Sequence, residues 1–184
     1  MTVMVGHIIQ PAYSKALNPK LRDEEILPAS LSPEIVTGLL KEKLGFDGLV
    51  VTDSAIMAGF ATAMERRRAV PQTIAAGCDM FLFAKNCEED FRYMTEGVRD
   101  GIIPQERLDE AVTKILALKA ALGLHRDRRI PEEEKVRRVV GCRAHRKAAL
   151  RCADDSITLV KSLENVLPLT PEKYKRVLFY SLES

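Results

Sequence analysis

Aromatic residues, paired cysteines and long apolar runs are scarce in this sequence. It contains no tryptophan, and 5% of its 184 residues are aromatic. Four cysteines lie far apart without a C-x-x-C pair, which argues against a structural zinc site or a redox dithiol and predicts reduced, mostly buried thiols: Cys78, Cys87, Cys142 and Cys152. No apolar run approaches the ~20 residues that a membrane helix needs, so we expect no membrane partner.

Neither sign of charge is in clear excess. The chain has 28 Lys plus Arg against 26 Asp plus Glu, a formal net charge of +2, which argues against a surface built for nucleic acid. Residues 125–151 are locally basic, with eight Arg and two Lys against one Asp and three Glu. Because this stretch lacks interleaved aromatic residues, we interpret it as a solvated linker and helix rather than as a phosphate or nucleic-acid site.

Several recognition motifs are also missing. The first 15 residues lack the basic start and long apolar stretch of a secretion signal, so the location stays open with the cytoplasm favoured. No Gly-rich phosphate loop, H-E-x-x-H or G-x-S-x-G motif occurs in the sequence. We therefore expect no metal and no cofactor.

Three short apolar runs alternate with helical patterns. The runs at residues 2–9, 46–53 and 79–83 predict buried strands. Between the first two, Ser32 followed by Pro and Glu predicts a helix start, and Gly45 predicts its end. Strands separated by amphipathic helices pair in parallel through right-handed crossovers, so the predicted fold class is α/β.

Further helical patterns follow these strands. Residues 58–76 are compatible with a helix that Pro71 breaks. Asn86 predicts the start of a helix whose apolar stripe is Phe91, Met94 and Val98, and another helix is expected over residues 104–123. Residues 1–124 thus form the first predicted domain.

The rest of the chain is predicted to begin a second domain. Residues 125–151 are the linker and helix, and residues 152–184 begin another α/β domain. Its strands are predicted at residues 156–161 and 176–181, where β-branched and aromatic residues are frequent.

Asp53 is the most informative residue in the sequence. It follows a buried apolar strand directly, and the carboxyl ends of barrel strands are where active sites are built. The alternative role is a helix N-cap or an ion-pair partner in the strand-to-helix loop, because Asp is a preferred cap.

The segment GFDGLVVTDS at residues 45–54 closely resembles the nucleophile signature of glycoside hydrolase family 3. The flanking segments TVMVGHI (2–8), PASLSP (28–33) and AAGCDM (75–80) also resemble the N-acetylhexosaminidase-like branch of this family. Residues 108–124 are similar to its closing barrel helix, and residues 156–169 to the opening of its second domain. The resemblance therefore spans nearly the whole chain.

This resemblance implies a fold and an activity. The chain would be a partial TIM (β/α)8 barrel, holding its last three β/α units, followed by the beginning of an α/β sandwich domain. Asp53 would be the nucleophile of a retaining exo-glycosidase that removes terminal β-linked N-acetylhexosamine or glucose-type residues through a covalent glycosyl intermediate. The expected partner is a carbohydrate substrate.

A retaining glycosidase also needs an acid for the leaving oxygen. The family supplies it from a His-Asp pair upstream of the first strand present here, or from the second domain in two-domain β-glucosidases. The alternative is therefore a catalytically incomplete fragment with a structural or assembly role. A homo-oligomer or a complementing chain would then complete the barrel, whose missing strands leave open sheet edges.

Four other side chains near the strands were considered. His7 is predicted to bind the sugar near its strand tip, the alternative being a buried histidine with satisfied hydrogen bonds. The resemblance suggests that Met57 is an apolar wall of the sugar pocket, the alternative being core packing. Glu65 is predicted to face solvent, and Asp79, which precedes its strand, to be structural.

Overall fold

The computed structural model describes residues 1–127, 130–164 and 166–182. Two compact units make up the chain, Met1–Arg129 and Ile130–Ser184. Five residues of the predicted linker and second domain lie outside the described ranges: Arg128, Arg129, Asn165, Glu183 and Ser184.

Two strands form the sheet of the first unit. β1 (Thr2–Val5) and β2 (Leu49–Thr52) pair in parallel, with Val3 opposite Val50. Parallel pairing requires a crossover between the two strands, and helices lie there as the sequence predicts. The prediction of parallel neighbours is confirmed for these two strands.

The prediction of a full strand at residues 79–83 is wrong. The segment forms one isolated parallel bridge, between Met80 and Val51, and lies on the edge of β2 away from β1. The Met80 carbonyl accepts from the Thr52 N–H at 3.0 Å. At Leu82, however, the backbone N–H donates to the Thr52 hydroxyl at 2.9 Å instead of to a ladder carbonyl, and regular pairing ends there.

The first strand is shorter and more exposed than predicted over residues 2–9. Only Val5 is buried in β1, while Met4 is 54% exposed. In the described structure β1 is an edge strand, paired on one side only, with β2. Beyond the strand, Ile9 forms an isolated antiparallel bridge with Pro28.

Helices of three kinds surround the sheet. The α-helices of the first unit are α1 (Pro11–Leu17), α2 (Ala58–Ala61), α3 (Arg66–Ala75), α4 (Cys87–Arg99) and α5 (Gln105–Ala121). Short 3₁₀ turns span Asp23–Glu25 and Ala29–Leu31, and a π-helix spans Glu34–Lys43. The π-helix ends with the Leu44 N–H bound to the Leu39 carbonyl at 2.9 Å, five residues back. Apolar spacing predicts a helix there but does not distinguish this wider winding.

Local capping signals are confirmed at three places. Ser32 Oγ accepts from the backbone N–H of Ile35 at 3.3 Å, just before the π-helix. Gly45 ends that helix with φ +67°, a left-handed conformation that favours glycine. The Asn86 side chain caps α4 by accepting from two N–H groups, those of Glu88 and Glu89, at 3.0 and 3.2 Å.

Two helix predictions need correction. Pro71 lies inside α3 rather than breaking it, and its ring is fully buried against Gly97 of α4, which has no Cβ to clash with it. The predicted break falls earlier, between α2 and α3. Phe91 is 76% exposed, although the other two members of its predicted stripe are half-buried. The neighbouring Asp90 is buried in an ion pair, which turns Phe91 outward.

Two apolar clusters hold the first unit together. One lies between the sheet and the π-helix and comprises Val5, Ala29, Val36, Val50 and Cys78. The other lies beneath the loop that follows β2 and comprises Leu31, Ala55, Phe60, Ala69 and Val70. Burying each of the larger side chains contributes about 1.5–3 kcal/mol. The strand tip after Thr52 therefore rests on packed structure.

The four thiols are free, as predicted, but they are not mostly buried. Cys78 is fully buried, whereas Cys87 and Cys152 are exposed and Cys142 is half-buried. Burial raises the pKa of the Cys78 thiol to about 12, with the negative charge of Asp79 adding to the effect. Cys87, the first residue of α4, belongs to neither cluster of the first unit.

A charged network surrounds Asp79, at the end of β2 remote from Asp53. The Asp79 carboxylate is fully buried, accepts from the Val50 N–H at 2.8 Å, and is paired with Arg107 and with Lys41, the latter at 3.5 Å. Glu110 joins the same two cations. Burial raises the Glu110 pKa, but the hydrogen bonds and positive charges of Lys41, Arg107 and Lys114 together outweigh it and leave the pKa below its ordinary value. The structural role predicted for Asp79 is confirmed.

The second unit contains helices and extended chain. Its helices are α6 (Glu133–Val139) and α7 (Arg143–Ser156). The strands predicted at residues 156–161 and 176–181 are wrong for the part of this unit that the structure describes, because α7 includes Ser156 and the remaining residues pair with nothing as strands. Apolar side chains such as Val160 (92% exposed) and Phe179 (87%) are left uncovered. A strand needs a hydrogen-bonded neighbour, which sequence pattern alone does not guarantee.

Candidate active site

Asp53 lies directly after β2, at the carboxyl end of the strand. Its backbone N–H donates to the Val5 carbonyl at 2.9 Å, so the parallel pairing continues one residue beyond Thr52. Alternation along an extended chain places Asp53 on the same face as Val51, and opposite to the face on which Val50 packs against the π-helix. The side chain is half-buried.

The Asp53 carboxylate is held from its own loop. Its Oδ1 accepts from the Ser54 N–H at 2.7 Å. Among the described residues, no Lys, Arg or His forms an ion pair with it. Asp53 is therefore not the ion-pair partner considered as an alternative, and α2, the next helix, begins five residues later with Met57 as its N-cap.

His7 is buried beside this loop, with both ring nitrogens engaged. Nε2 lies 3.1 Å from the Ser54 carbonyl, and because a carbonyl only accepts, Nε2 carries the proton. Nδ1 lies 2.7 Å from the Ser30 hydroxyl, which can donate or accept a hydrogen bond. The ring also packs on Phe60, with a centroid separation of 5.1 Å. These contacts match the satisfied buried histidine considered from sequence, and sugar binding by His7 stays a prediction.

Met57 lies on the solvent side of the same loop. Its side chain is 46% exposed, so it does not pack in the core. Its backbone N–H donates to the Ser54 carbonyl at 3.1 Å, the same oxygen that His7 contacts. Its role as a wall of a sugar pocket stays a prediction.

The sequence did not identify Arg66 and Asp90, which lie under the loop. Arg66 was part of a charged run expected to face solvent, as its neighbour Glu65 does. Instead its guanidinium forms two bonds with the buried Asp90 carboxylate, Nε to Oδ1 at 2.8 Å and Nη2 to Oδ2 at 2.6 Å. Nη1 donates to the Ala55 carbonyl at 2.9 Å. Arg66 and Asp90 are 24 positions apart, so the sequence around either residue does not indicate that the two form a pair.

Among the cavities in the described part of the first unit, two lie close to the strand ends, and Asp53 lines neither of them. One of about 290 Å³ opens beside the loop and is lined by Ala55, Ile56, Phe60, Ala61, Met64, Arg66 and Lys85. The other, about 410 Å³, is an apolar groove between α4, α5 and the segment around Met80. A sugar pocket in a barrel is built from the tips of many strands, and the described structure contains few of them.

Other kinds of site have little support within the described ranges. No group of three or more His, Cys, Asp or Glu side chains there could hold a metal ion. No helix in those ranges combines the length and apolarity needed to cross a bilayer. Of the nearby carboxylates, Asp90 is engaged by Arg66 and Asp79 lies at the far end of the strand, so the described loop offers Asp53 no second carboxylate as a partner acid.

Comparison with known proteins supplies the remaining evidence. The chain is 55% identical over its whole length to a beta-N-acetylglucosaminidase/beta-glucosidase of Cellulomonas fimi, and covers 32% of that protein. A lysosomal beta glucosidase of Dictyostelium discoideum is 32% identical over 83% of the chain, which covers 19% of it. The solved structure of the beta-glucoside phosphorylase BglX, also solved bound to 2FGlc, matches 93% of the chain with a TM-score of 0.81 and 41% identity, and the chain covers 31% of it.

The chain thus spans less than a third of the length of several relatives that it matches. Residues 1–118 match the family described as glycosyl hydrolase family 3 N terminal domain, which has a TIM-barrel-type fold. The chain belongs to glycosyl hydrolase family 3.

Proposed function

We propose that this chain supplies the nucleophile of a retaining β-glycosidase, and that the nucleophile is Asp53. The observation that carries the proposal is the position of an aspartate at the carboxyl end of β2, paired with no cation among the described residues, in a chain of this family. The segment 1–124 then corresponds to the last three β/α units of the barrel. The substrate is a terminal β-linked N-acetylglucosamine or glucose-type residue, the sugars named for the Cellulomonas fimi relative.

The chemistry takes two steps. One Asp53 oxygen attacks the anomeric carbon while the glycosidic C–O bond breaks, and the leaving oxygen takes the electron pair and a proton from an acid. Water then attacks the same carbon, loses a proton, and releases the aspartate. We assign the acid to a part of the enzyme beyond this chain, since the chain covers 32% of its Cellulomonas relative.

Two neighbouring side chains complete the proposed sugar site. Met57 is placed as an apolar wall because its half-exposed side chain lies on the same loop as Asp53. His7 contacts the sugar only by exchanging its bond with Ser30, since Nε2 is used by the Ser54 carbonyl. Its buried position makes support of the loop its more direct effect.

The test uses a substrate that needs no acid. A 2,4-dinitrophenyl β-glycoside has a leaving group that departs as the anion, so dinitrophenol release reports the nucleophile alone. We expect Asp53→Asn to lower this release by about 10³-fold or more. The control is Asp47→Asn, because Asp47 lies before the same strand, is 98% exposed, and pairs with Lys114. Equal rates for wild type and Asp53→Asn, both above the uncatalysed release of dinitrophenol, would refute the proposal.

Phosphorolysis is a second candidate, favoured by the match to a beta-glucoside phosphorylase at 41% identity. In that case inorganic phosphate, rather than water, attacks the glycosyl intermediate. Adding phosphate to the assay and separating the products decides between the two. A sugar 1-phosphate indicates phosphorolysis, and free sugar alone indicates hydrolysis.

The incomplete-fragment alternative is tested on the same protein. Size-exclusion chromatography of the chain, followed by the dinitrophenyl assay on each peak, distinguishes a chain that is active alone from a fragment that needs another chain. Turnover by a monomer would refute the fragment interpretation. Turnover restricted to an oligomer, or recovered on adding a complementing chain, would support completion by another chain.

A further inference from the structure

The loop after the proposed nucleophile is fixed at successive carbonyl groups by a buried histidine and a half-buried arginine from other elements. The Ser54 carbonyl accepts from His7 Nε2 at 3.1 Å, and the Ala55 carbonyl accepts from Arg66 Nη1 at 2.9 Å. Between them, the Ala55 N–H donates to the Leu82 carbonyl at 3.3 Å. The Asp53 carboxylate is in turn oriented by the Ser54 N–H. Its position therefore depends on how this loop is held.

Arg66 is itself held by a buried carboxylate. The Arg66 side chain is 21% exposed and the Asp90 side chain 4% exposed, and the two groups meet through two parallel N–H···O bonds. This bidentate geometry fixes the plane of the guanidinium. While Nε and Nη2 bind Asp90, Nη1 is directed at the Ala55 carbonyl. The Arg66 guanidinium also lies 5.8 Å from the centroid of the Phe60 ring.

The Asp90 carboxylate has its own anchor in the chain. Its Oδ2 accepts from the Lys85 N–H at 3.0 Å, in the loop between the Met80 segment and α4. The pair thus connects the start of α3, the start of α4, and the loop after β2. Because the Arg66–Asp90 pair joins these three segments, we expect it to restrict the loop after β2 more than a surface ion pair would.

We propose that Arg66, oriented by Asp90, is a positioning residue that fixes the backbone carrying Asp53. This inference rests on the proposed role of Asp53 as the nucleophile. Arg66 does not touch the sugar in this scheme; it acts through the Ala55 carbonyl. A nucleophile misplaced by about 1 Å can lose about 10²-fold in rate, so a loop held at this carbonyl matters to the chemistry.

The chain contains a matched control in the next residue. Arg67 also connects α3 to α4, through Glu96 at 2.8 Å, but its side chain is 56% exposed and the pair does not contact the loop. Arg66→Lys and Arg66→Met are compared with Arg67→Lys and Arg67→Met in the full chain. Arg66→Lys retains the charge beside Asp90 and keeps the test available if Arg66→Met does not fold.

The first readout is independent of catalysis. Amide hydrogen exchange is measured at Ala55, whose N–H donates to the Leu82 carbonyl, and at Met57, whose N–H donates to the Ser54 carbonyl. We expect exchange at these amides to rise by about 10-fold or more in both Arg66 variants, and to stay unchanged in both Arg67 variants. Unchanged exchange in the Arg66 variants would overturn the inference whatever the activity.

The second readout is covalent trapping with 2-deoxy-2-fluoro-β-glucosyl fluoride. An Asp53 oxygen bonds to the anomeric carbon as fluoride leaves with the electron pair, so no acid is needed. We expect the maximal labelling rate to fall about 10-fold in Arg66→Lys and about 100-fold in Arg66→Met, with a smaller change in the concentration for half-maximal rate. Mass spectrometry identifies the labelled residue.

The two proposals fail differently in this experiment. Absence of label on Asp53 in the wild-type chain counts against the proposed function of the chain, while the exchange data still decide whether Arg66 fixes the loop. Wild-type labelling rates in both Arg66 variants would overturn the positioning role and leave Asp53 as the nucleophile. Equal losses in the Arg66 and Arg67 variants would overturn it too, because they would indicate a general effect of joining α3 to α4.

Discussion

Asp79→Asn tests the charged network at the far end of β2. The substitution keeps the shape of the side chain but removes its charge and one acceptor oxygen. Asp79 is fully buried, and its partners Arg107 and Lys41 are 10% and 13% exposed. An asparagine oxygen could serve either the Val50 N–H or the cations, and the other donors would lose their partner.

The magnitude follows from burial. Breaking a buried ion pair by removing one partner costs about 3–5 kcal/mol, because the other charge stays buried and uncompensated. Here Glu110 still contacts both Arg107 and Lys41, so we expect a loss near the lower end, about 3 kcal/mol. That loss is a large part of the free energy of unfolding of a typical domain, which is about 5–15 kcal/mol.

The assay is urea unfolding followed by far-ultraviolet circular dichroism. Glu110→Gln is the control, since the Glu110 side chain is 43% exposed and the expected loss is under about 1 kcal/mol. A loss of less than about 1 kcal/mol in Asp79→Asn, or equal losses in the two variants, would refute the reasoning. Burial would then not decide the contribution of this network.

The other predictions concern packing and thiol chemistry. Gly59→Ala should lower the free energy of unfolding by about 1–3 kcal/mol, because a Cβ at Gly59 would lie 2.6 Å from the His7 backbone oxygen. Gly38→Ala is the control, because its Cβ would meet only ordinary contacts near 4 Å, and it should be neutral or stabilising in the same urea unfolding assay. A loss at Gly59 no larger than that at Gly38 would contradict this prediction. With iodoacetamide at pH 8, the buried Cys78 should stay unmodified in the folded chain while the exposed Cys87 reacts. Alkylation of Cys78 at a rate similar to that of Cys87 would refute this prediction.

Local features of the fold were predictable from the sequence, and features that depend on distant partners were not. The start of α4 at Asn86 and the end of the π-helix at Gly45 follow from side-chain capping and from φ > 0, which involve only neighbouring residues. The segment at residues 79–83 has the composition of a strand. Its pairing ends because one hydroxyl, that of Thr52, takes the N–H of Leu82, a contact across 30 residues.

The candidate site shows the same division. Asp53 could be predicted from a short apolar strand with a carboxylate at its end, and from the motif around it. Arg66 could not, because its sequence neighbours are charged and such runs usually face water. Only the folded chain brings it against Asp90, and the one available sign was that Asp90 interrupts the apolar face of α4.

Two aspartates at opposite ends of β2 differ in how many donors they engage. Asp79 accepts from a backbone N–H and pairs with two cations, so each of its oxygens has a partner and its charge is compensated. Asp53 accepts one hydrogen bond, from Ser54, and no cation of the described residues neutralises it. A carboxylate that attacks carbon must keep an oxygen with a free lone pair, whereas one that stabilises a fold gains from every donor. Charge removal should therefore cost stability at Asp79 and reactivity at Asp53, and a reversal of that pattern would mean that donor count does not separate the two roles.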